Sequence, residues 1–150
     1  MKTSLLVAKV GGSLYDLPDL GMRLNDWLAK VESSRTLLMP GGGPTADAVR
    51  ILDHTHRLGE ETSHWLALRA LSLNAHFLAQ LLPHAPLLPR LPDHLDTSHH
   101  YILDPLPFFQ DDEQHPDRFP HLWTATTPTS ARPALRRRRA WRRERRGSRW

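Results

Sequence analysis

The sequence predicts an α/β fold, a three-layer αβα domain with a mainly parallel sheet, and three observations lead there. Two short apolar runs, Leu5-Leu6-Val7-Ala8 with Val10 and Thr36-Leu37-Leu38-Met39, have the pattern of strands buried on both faces. Each run ends in glycines, Gly11-Gly12 after the first and Gly41-Gly42-Gly43 after the second. Each is then followed by a segment of helical spacing. A strand–helix–strand–helix order joins its strands by crossovers, which keep them parallel.

The first run is expected to be a strand from Leu5 to Val10. Leu20 to Val31 follows as an amphipathic helix with Leu20, Leu24, Trp27, Leu28 and Val31 on one side. After the second strand, Pro40 and the glycines lead to Pro44, which suits a first helical turn, and Ala46 to Leu58 continues as helix until Gly59 breaks it. The strongest helical signal runs from Glu60 to Leu82, where Trp65, Leu68, Leu71, Ala75, Leu78 and Leu82 recur at steps of three and four. Glu60, Glu61 and Thr62 place negative and capping groups at its first turn, and Pro83 stops it. Trp65 is expected in the core at the helix–sheet contact. Ten prolines lie between 83 and 133, which leaves only short apolar pieces. Leu87-Leu88 and Tyr101-Ile102-Leu103 read as edge strands or connections, and Asp111 to Asp117 as a polar loop. Beyond Trp123 no periodicity remains.

Charge divides the chain in the same place. Residues 132–150 hold ten arginines and one acid, Glu144, while the first 131 residues carry ten basic and fifteen acidic side chains. The net charges are +9 and −5, so the overall +4 belongs to the tail. The expected division is residues 1–123 as the folded α/β part and 124–150 as a Pro/Thr-rich, then Arg-rich, disordered tail. Without cysteine there is neither a disulfide framework nor a thiolate metal site. No apolar run approaches the ~18–20 residues that span a bilayer, and the expectation is a soluble, cytoplasmic protein with no membrane partner.

The chemistry concentrates at the two glycine segments. In Lys9-Val10-Gly11-Gly12-Ser13 a strand delivers its chain into two glycines, so backbone N–H groups can approach an anion closely. Lys9 lies two residues before Gly11, on the same side of the strand, and can set an ammonium beside the same phosphate. Phosphoryl transfer needs this combination of charge neutralisation and fixed donors. The alternative is a tight turn with Lys9 solvated at its end. The second segment, Pro40-Gly41-Gly42-Gly43-Pro44, leads into a helix and can form an anion pocket at its N-terminus, or simply be a flexible connection. Neither segment has the spacing of the dinucleotide or the common ATPase fingerprint. On successive parallel strands, both loops should open at one sheet edge.

These residues resemble a known family. Val7-Ala8-Lys9-Val10-Gly11-Gly12-Ser13-Leu14 followed by Leu38-Met39-Pro40-Gly41-Gly42-Gly43 is similar to the amino-acid kinase superfamily, which includes the aspartate, acetylglutamate, uridylate and carbamate kinases. Further similarity at Ala46-Asp47-Ala48-Val49-Arg50, Asp53, Leu58-Gly59 and Ser63-His64-Trp65-Leu66-Ala67 resembles the small kinases of methanofuran-type cofactor synthesis in methanogens and methylotrophs. The resemblance implies ATP and Mg²⁺ as cofactors and a small-molecule acceptor, with a homo-oligomer as a further expectation. It assigns Lys9 to the phosphoryl group in transit, and Gly11, Gly12 and Ser13 to the phosphates of ATP. Gly41, Gly42 and Gly43 would hold the acceptor and the migrating group. Asp47 and Arg50, one turn into the next helix, would face the acceptor, or else form an ordinary solvated helix face. The family pattern continues after Pro-His-x-Trp with an aspartate that opens the nucleotide half. Here Trp123 is followed by Thr124-Ala125-Thr126-Thr127 and then the arginine run. The expectation is therefore a truncated or frameshifted, inactive member that keeps the acceptor-binding half.

The histidines and the tail arginines point to two other chemistries. His54 and His56 do not share a helix face and His99-His100 are adjacent in a loop, so no zinc-type spacing exists and no metal ligand is assigned. His64 could approach the active edge. The tail arginines, Arg136 to Arg139 with Arg142, Arg143, Arg145 and Arg146, would attract nucleic acid through phosphate contacts. That gives the competing reading, a non-catalytic protein binding nucleic acid through 132–150.

Overall fold

A computed structural model describes residues 5–31, 35–96 and 100–115. The segments Pro120–Trp123, 124–131 and 132–150 lie outside these, and with them the expectations for the tail. Within the described residues the α/β expectation holds: a four-stranded, all-parallel sheet with four helices, in keeping with a three-layer αβα fold. Strand β1 (Leu5–Val10) enters a short 3₁₀ turn (Gly12–Leu14) and helix α1 (Leu20–Lys30). Strand β2 (Arg35–Pro40) then leads to α2 (Gly43–His56) and α3 (Glu60–Leu81). The chain ends its described course with β3 (Leu87–Leu88), β4 (His100–Leu103) and α4 (Pro105–Asp112).

The sheet order is β1-β2-β4-β3, with Val7 opposite Leu37 and Leu37 opposite Tyr101. Alternation along the strands sorts the side chains onto two faces. On one face Val10, Leu38 and Ile102 pack against Leu20, Leu24 and Leu28 of α1 and Ala75 and Leu78 of α3. On the other, Leu37, Tyr101 and Leu103 meet Met39, Leu88, Leu95 and Phe108 of α4. Leu38, Leu78 and Ile102 are fully buried, each worth about 1.5–3 kcal/mol of transfer free energy.

Several expectations change. Strand β1 is not buried on both faces: Leu5 and Val7 are 47% and 59% exposed, because β1 is an edge strand whose second face is uncovered among the described residues. Strand β4 is an interior strand between β2 and β3, leaving β3 as the edge. The presumed polar loop from Asp111 starts inside a helix. The Asp104 carboxylate accepts from the Leu106 N–H and so caps α4, Pro105 occupies its first turn, and Asp111 and Asp112 close it. The other Asp104 oxygen lies 3.4 Å from His76 Nε2.

Among the helices, the buried stripe of α1 is Leu20, Leu24 and Leu28, spaced by four, and Trp27 faces solvent. Trp65 is only half-buried, its indole N–H donating to Glu61 Oε1 at 2.6 Å. At that end α3 packs on α2 and α4, and its buried residues are Ser63 and His64. Thr62 lies inside the helix, and the N-cap position belongs to Gly59. No helix among the described residues is long and apolar enough to cross a membrane.

Candidate functional site

Parallel pairing of β1 with β2 puts the glycine segments that follow them side by side. The two segments touch. The Gly41 N–H donates to the Val10 carbonyl at 2.8 Å, and a methyl group placed on Gly12 would lie 2.2 Å from Gly43 N. Gly41 is equally confined, since a Cβ there would sit 2.6 Å from the Val10 carbonyl oxygen and 2.7 Å from Gly12 N. The loops meet backbone to backbone, a contact that only residues without Cβ permit.

The backbone of the second loop changes hand between two glycines. Gly42 is right-handed (φ −74°, ψ −54°) and Gly43 follows with φ +54°. A right-handed residue followed by a left-handed one forms a nest, a concavity into which successive N–H groups converge, here those of Gly42 and Gly43 only, because Pro44 has no N–H. Helix α2 begins at Gly43, and its positive dipole end reinforces the same potential. The carbonyls of this loop face the protein. Gly41 O accepts from the Tyr15 hydroxyl at 2.9 Å and from Asn74 Nδ2 at 2.7 Å. Gly42 O accepts from Asn74 Nδ2 at 2.8 Å and from the Thr45 hydroxyl at 2.6 Å. In a trans peptide the C=O and the following N–H point to opposite sides. The N–H groups of Gly42 and Gly43 are therefore directed away from Asn74.

Beside the nest lies a cleft of about 340 Å³. Lys9, Gly41, Gly42 and Arg50 supply its polar wall, and Leu71 and Phe109 are prominent in its apolar wall, with His64 between. Arg50 is ion-paired with Asp47, three residues earlier on α2, which steadies the guanidinium at the rim. His64 is buried and meets the rings of Trp65 and Phe109 edge-on, with centroids 5.4 and 6.4 Å away.

The residues singled out in the sequence thus fall into three places. Lys9, Gly41, Gly42 and Arg50 share the cleft wall. Gly12 and Gly43 lie where the loops meet, Gly11 immediately before that contact. Ser13, exposed in the 3₁₀ turn, and Asp47, exposed on α2, do not line the cleft. Sequence reasoning missed Asn74, Tyr15 and Phe109. Asn74 carried a signal, because a polar residue stands at a core position of the stripe formed by Leu71, Ala75 and Leu78.

Tyr15 adds a pH-dependent element. Burial holds its hydroxyl above the ordinary value of 10.0. A group whose proton is held more tightly in the folded state contributes stability that is complete below the unfolded value and lost as pH rises through the folded one. Tyr15→Phe should cost about 1 kcal/mol near neutral pH through the lost bond to Gly41. The difference between the two proteins should shrink above pH 10.0. Thermal denaturation of both proteins between neutral and strongly alkaline pH checks this. A difference that stays constant across the range would contradict it.

Comparison with curated proteins finds similarity to a kinase over half of the chain. The chain is 33% identical over 76 residues to the [5-(aminomethyl)furan-3-yl]methyl phosphate kinase of Methanocaldococcus jannaschii. The matched stretch is 50% of this chain and 35% of that enzyme, so the chain spans about a third of the relative it matches. No family model matches the chain. The similarity is to a kinase, and it is consistent with a kinase relationship for the chain.

Proposed function

We propose that this chain carries the phosphate-binding part of an ATP-dependent small-molecule phosphotransferase, with the amino-acid kinase superfamily as its ancestry. The observation that carries the proposal is the backbone contact of the two glycine loops, which leaves the Gly42–Gly43 turn at the start of α2 next to a cleft that Lys9, Gly41 and Gly42 line. The similarity to a phosphate kinase supports the same reading. ATP would supply the γ-phosphoryl group, which passes to an acceptor oxygen as ADP leaves. Lys9 would neutralise charge on the group in transit, and the N–H groups of Gly42 and Gly43 would donate to its oxygens. Arg50, held by Asp47, would bind an anionic acceptor. Leu71 and Phe109 would form the apolar wall of the cleft, with His64 between it and the polar wall.

The cleft residues suit an anion. They suit Mg²⁺ less well: no carboxylate lines the cleft, and no three metal-ligating side chains gather among the described residues. No step is assigned to a protein-held metal. Titration of the folded chain with labelled ATP tests the proposal, with the phosphomonoester named for the relative present to register any transfer. Saturable ATP binding is the expected result, with or without transfer of label. Absence of binding by the folded chain would sink it.

A further inference from the structure

We propose that Asn74 is the positioning residue of the phosphate site, acting through the glycine loop rather than on any ligand. The inference rests on the phosphate-site reading above and extends it to a residue 30 or more positions away in sequence. Asn74 projects from the middle of α3 and is 4% exposed. Its amide nitrogen lies within hydrogen-bond distance of three acceptors that its two N–H groups share: Gly41 O at 2.7 Å, Gly42 O at 2.8 Å and Thr45 Oγ1 at 2.8 Å. Two of these are carbonyls, which only accept, so the NH₂ side of the amide must face the loop.

The consequence is geometric. Both carbonyls flanking Gly42 are tied inward, and a peptide cannot turn its N–H inward while its C=O is held there. Asn74 thereby fixes which side of the loop presents donors. Gly41 O also accepts from Tyr15, and a carbonyl that accepts two bonds polarises the N–H of the same peptide, that of Gly42. Tyr15 also holds Gly41 O and Thr45 also holds Gly42 O, but Asn74 alone bonds both carbonyls, and it couples the two peptides on either side of Gly42. The buried amide costs an unmet polar group unless the loop adopts this shape, so each enforces the other.

The test compares the full chain with Asn74→Asp and Asn74→Ala. Aspartate keeps the size of asparagine but faces two carbonyls with a carboxylate. Alanine removes the donor without repulsion and serves should the aspartate variant not fold. Inorganic phosphate and pyrophosphate binding is measured by calorimetry well below the melting temperature, with ¹H–¹⁵N spectra reporting the Gly42 and Gly43 amides. Binding is expected to weaken about tenfold or more in each folded variant, with the Gly42 and Gly43 amides shifted and those of α1 unmoved. A residue that only stabilises the fold would lower the melting temperature and leave phosphate affinity alone. That result, in a parent that binds phosphate, would overturn the inference and spare the site. A parent chain that binds neither anion would instead overturn the phosphate-site reading, and the role of Asn74 with it.

Discussion

Gly12→Ala should lower stability by about 3 kcal/mol, a drop of roughly 12 °C or more in melting temperature for a domain of this size. The added methyl group would stand 2.2 Å from Gly43 N and 2.3 Å from Gly43 Cα. Both are backbone atoms, so no side-chain rotation relieves the clash. The two loops would have to separate by about 1 Å to restore ordinary contact. That movement would also break the shared geometry of the cleft, so phosphate binding should fall with stability. Gly11→Ala is the matched control. A methyl group there meets only Ser13 Oγ at 3.8 Å, and the backbone is extended with φ −64°. Two adjacent glycines should therefore respond very differently. Differential scanning calorimetry on both variants decides it, and equal melting temperatures would show that the loops do not touch as described.

Leu38→Ala should cost about 3–4 kcal/mol. Leu38 is fully buried on the interior strand β2, between β1 and β4, within the cluster that joins the sheet to α1 and α3. Truncation removes the transfer free energy of the lost carbons and leaves a cavity that four packed elements cannot close. Leu73→Ala on α3 removes the same atoms from a site 60% exposed and should stay within about 0.5 kcal/mol of the parent. Denaturant titration of the pair measures the difference. Similar midpoints for both would mean that the core is not centred on the sheet face covered by α1 and α3.

Much of this architecture was legible in the residues, and the exceptions have physical causes. Helices α1 and α3 announce themselves because burial on one side imposes a period of three or four, and β1 and β2 because glycines end them sharply. The edge position of β1 was hidden, since an apolar run says nothing about which face finds a partner. Hydrophobicity alone puts Trp27 and Trp65 inward, yet an indole has a polar N–H and Trp65 uses it toward Glu61 at the surface. Helix α4 was obscured by Pro105 and Pro107, which read as breakers but sit in the first turn, where a missing N–H costs nothing. In the candidate site, Lys9 and the glycines stand out because the proposed chemistry would need those residue types at that spacing. Asn74 was not, because it reaches the loop from a helix more than 30 residues away and its role exists only once the helix has packed.

The most direct test of the phosphate site is calorimetric titration of the purified chain with ATP, repeated for Lys9→Ala. Lys9 is exposed at the cleft wall, so its removal should leave the melting temperature unchanged. Micromolar binding by the parent is expected, weakened about tenfold or more in the variant, as befits the loss of one charge-assisted contact. No binding by the folded parent, or equal binding by both proteins, would contradict the assignment of Lys9 and the joined glycine loops to a phosphate site.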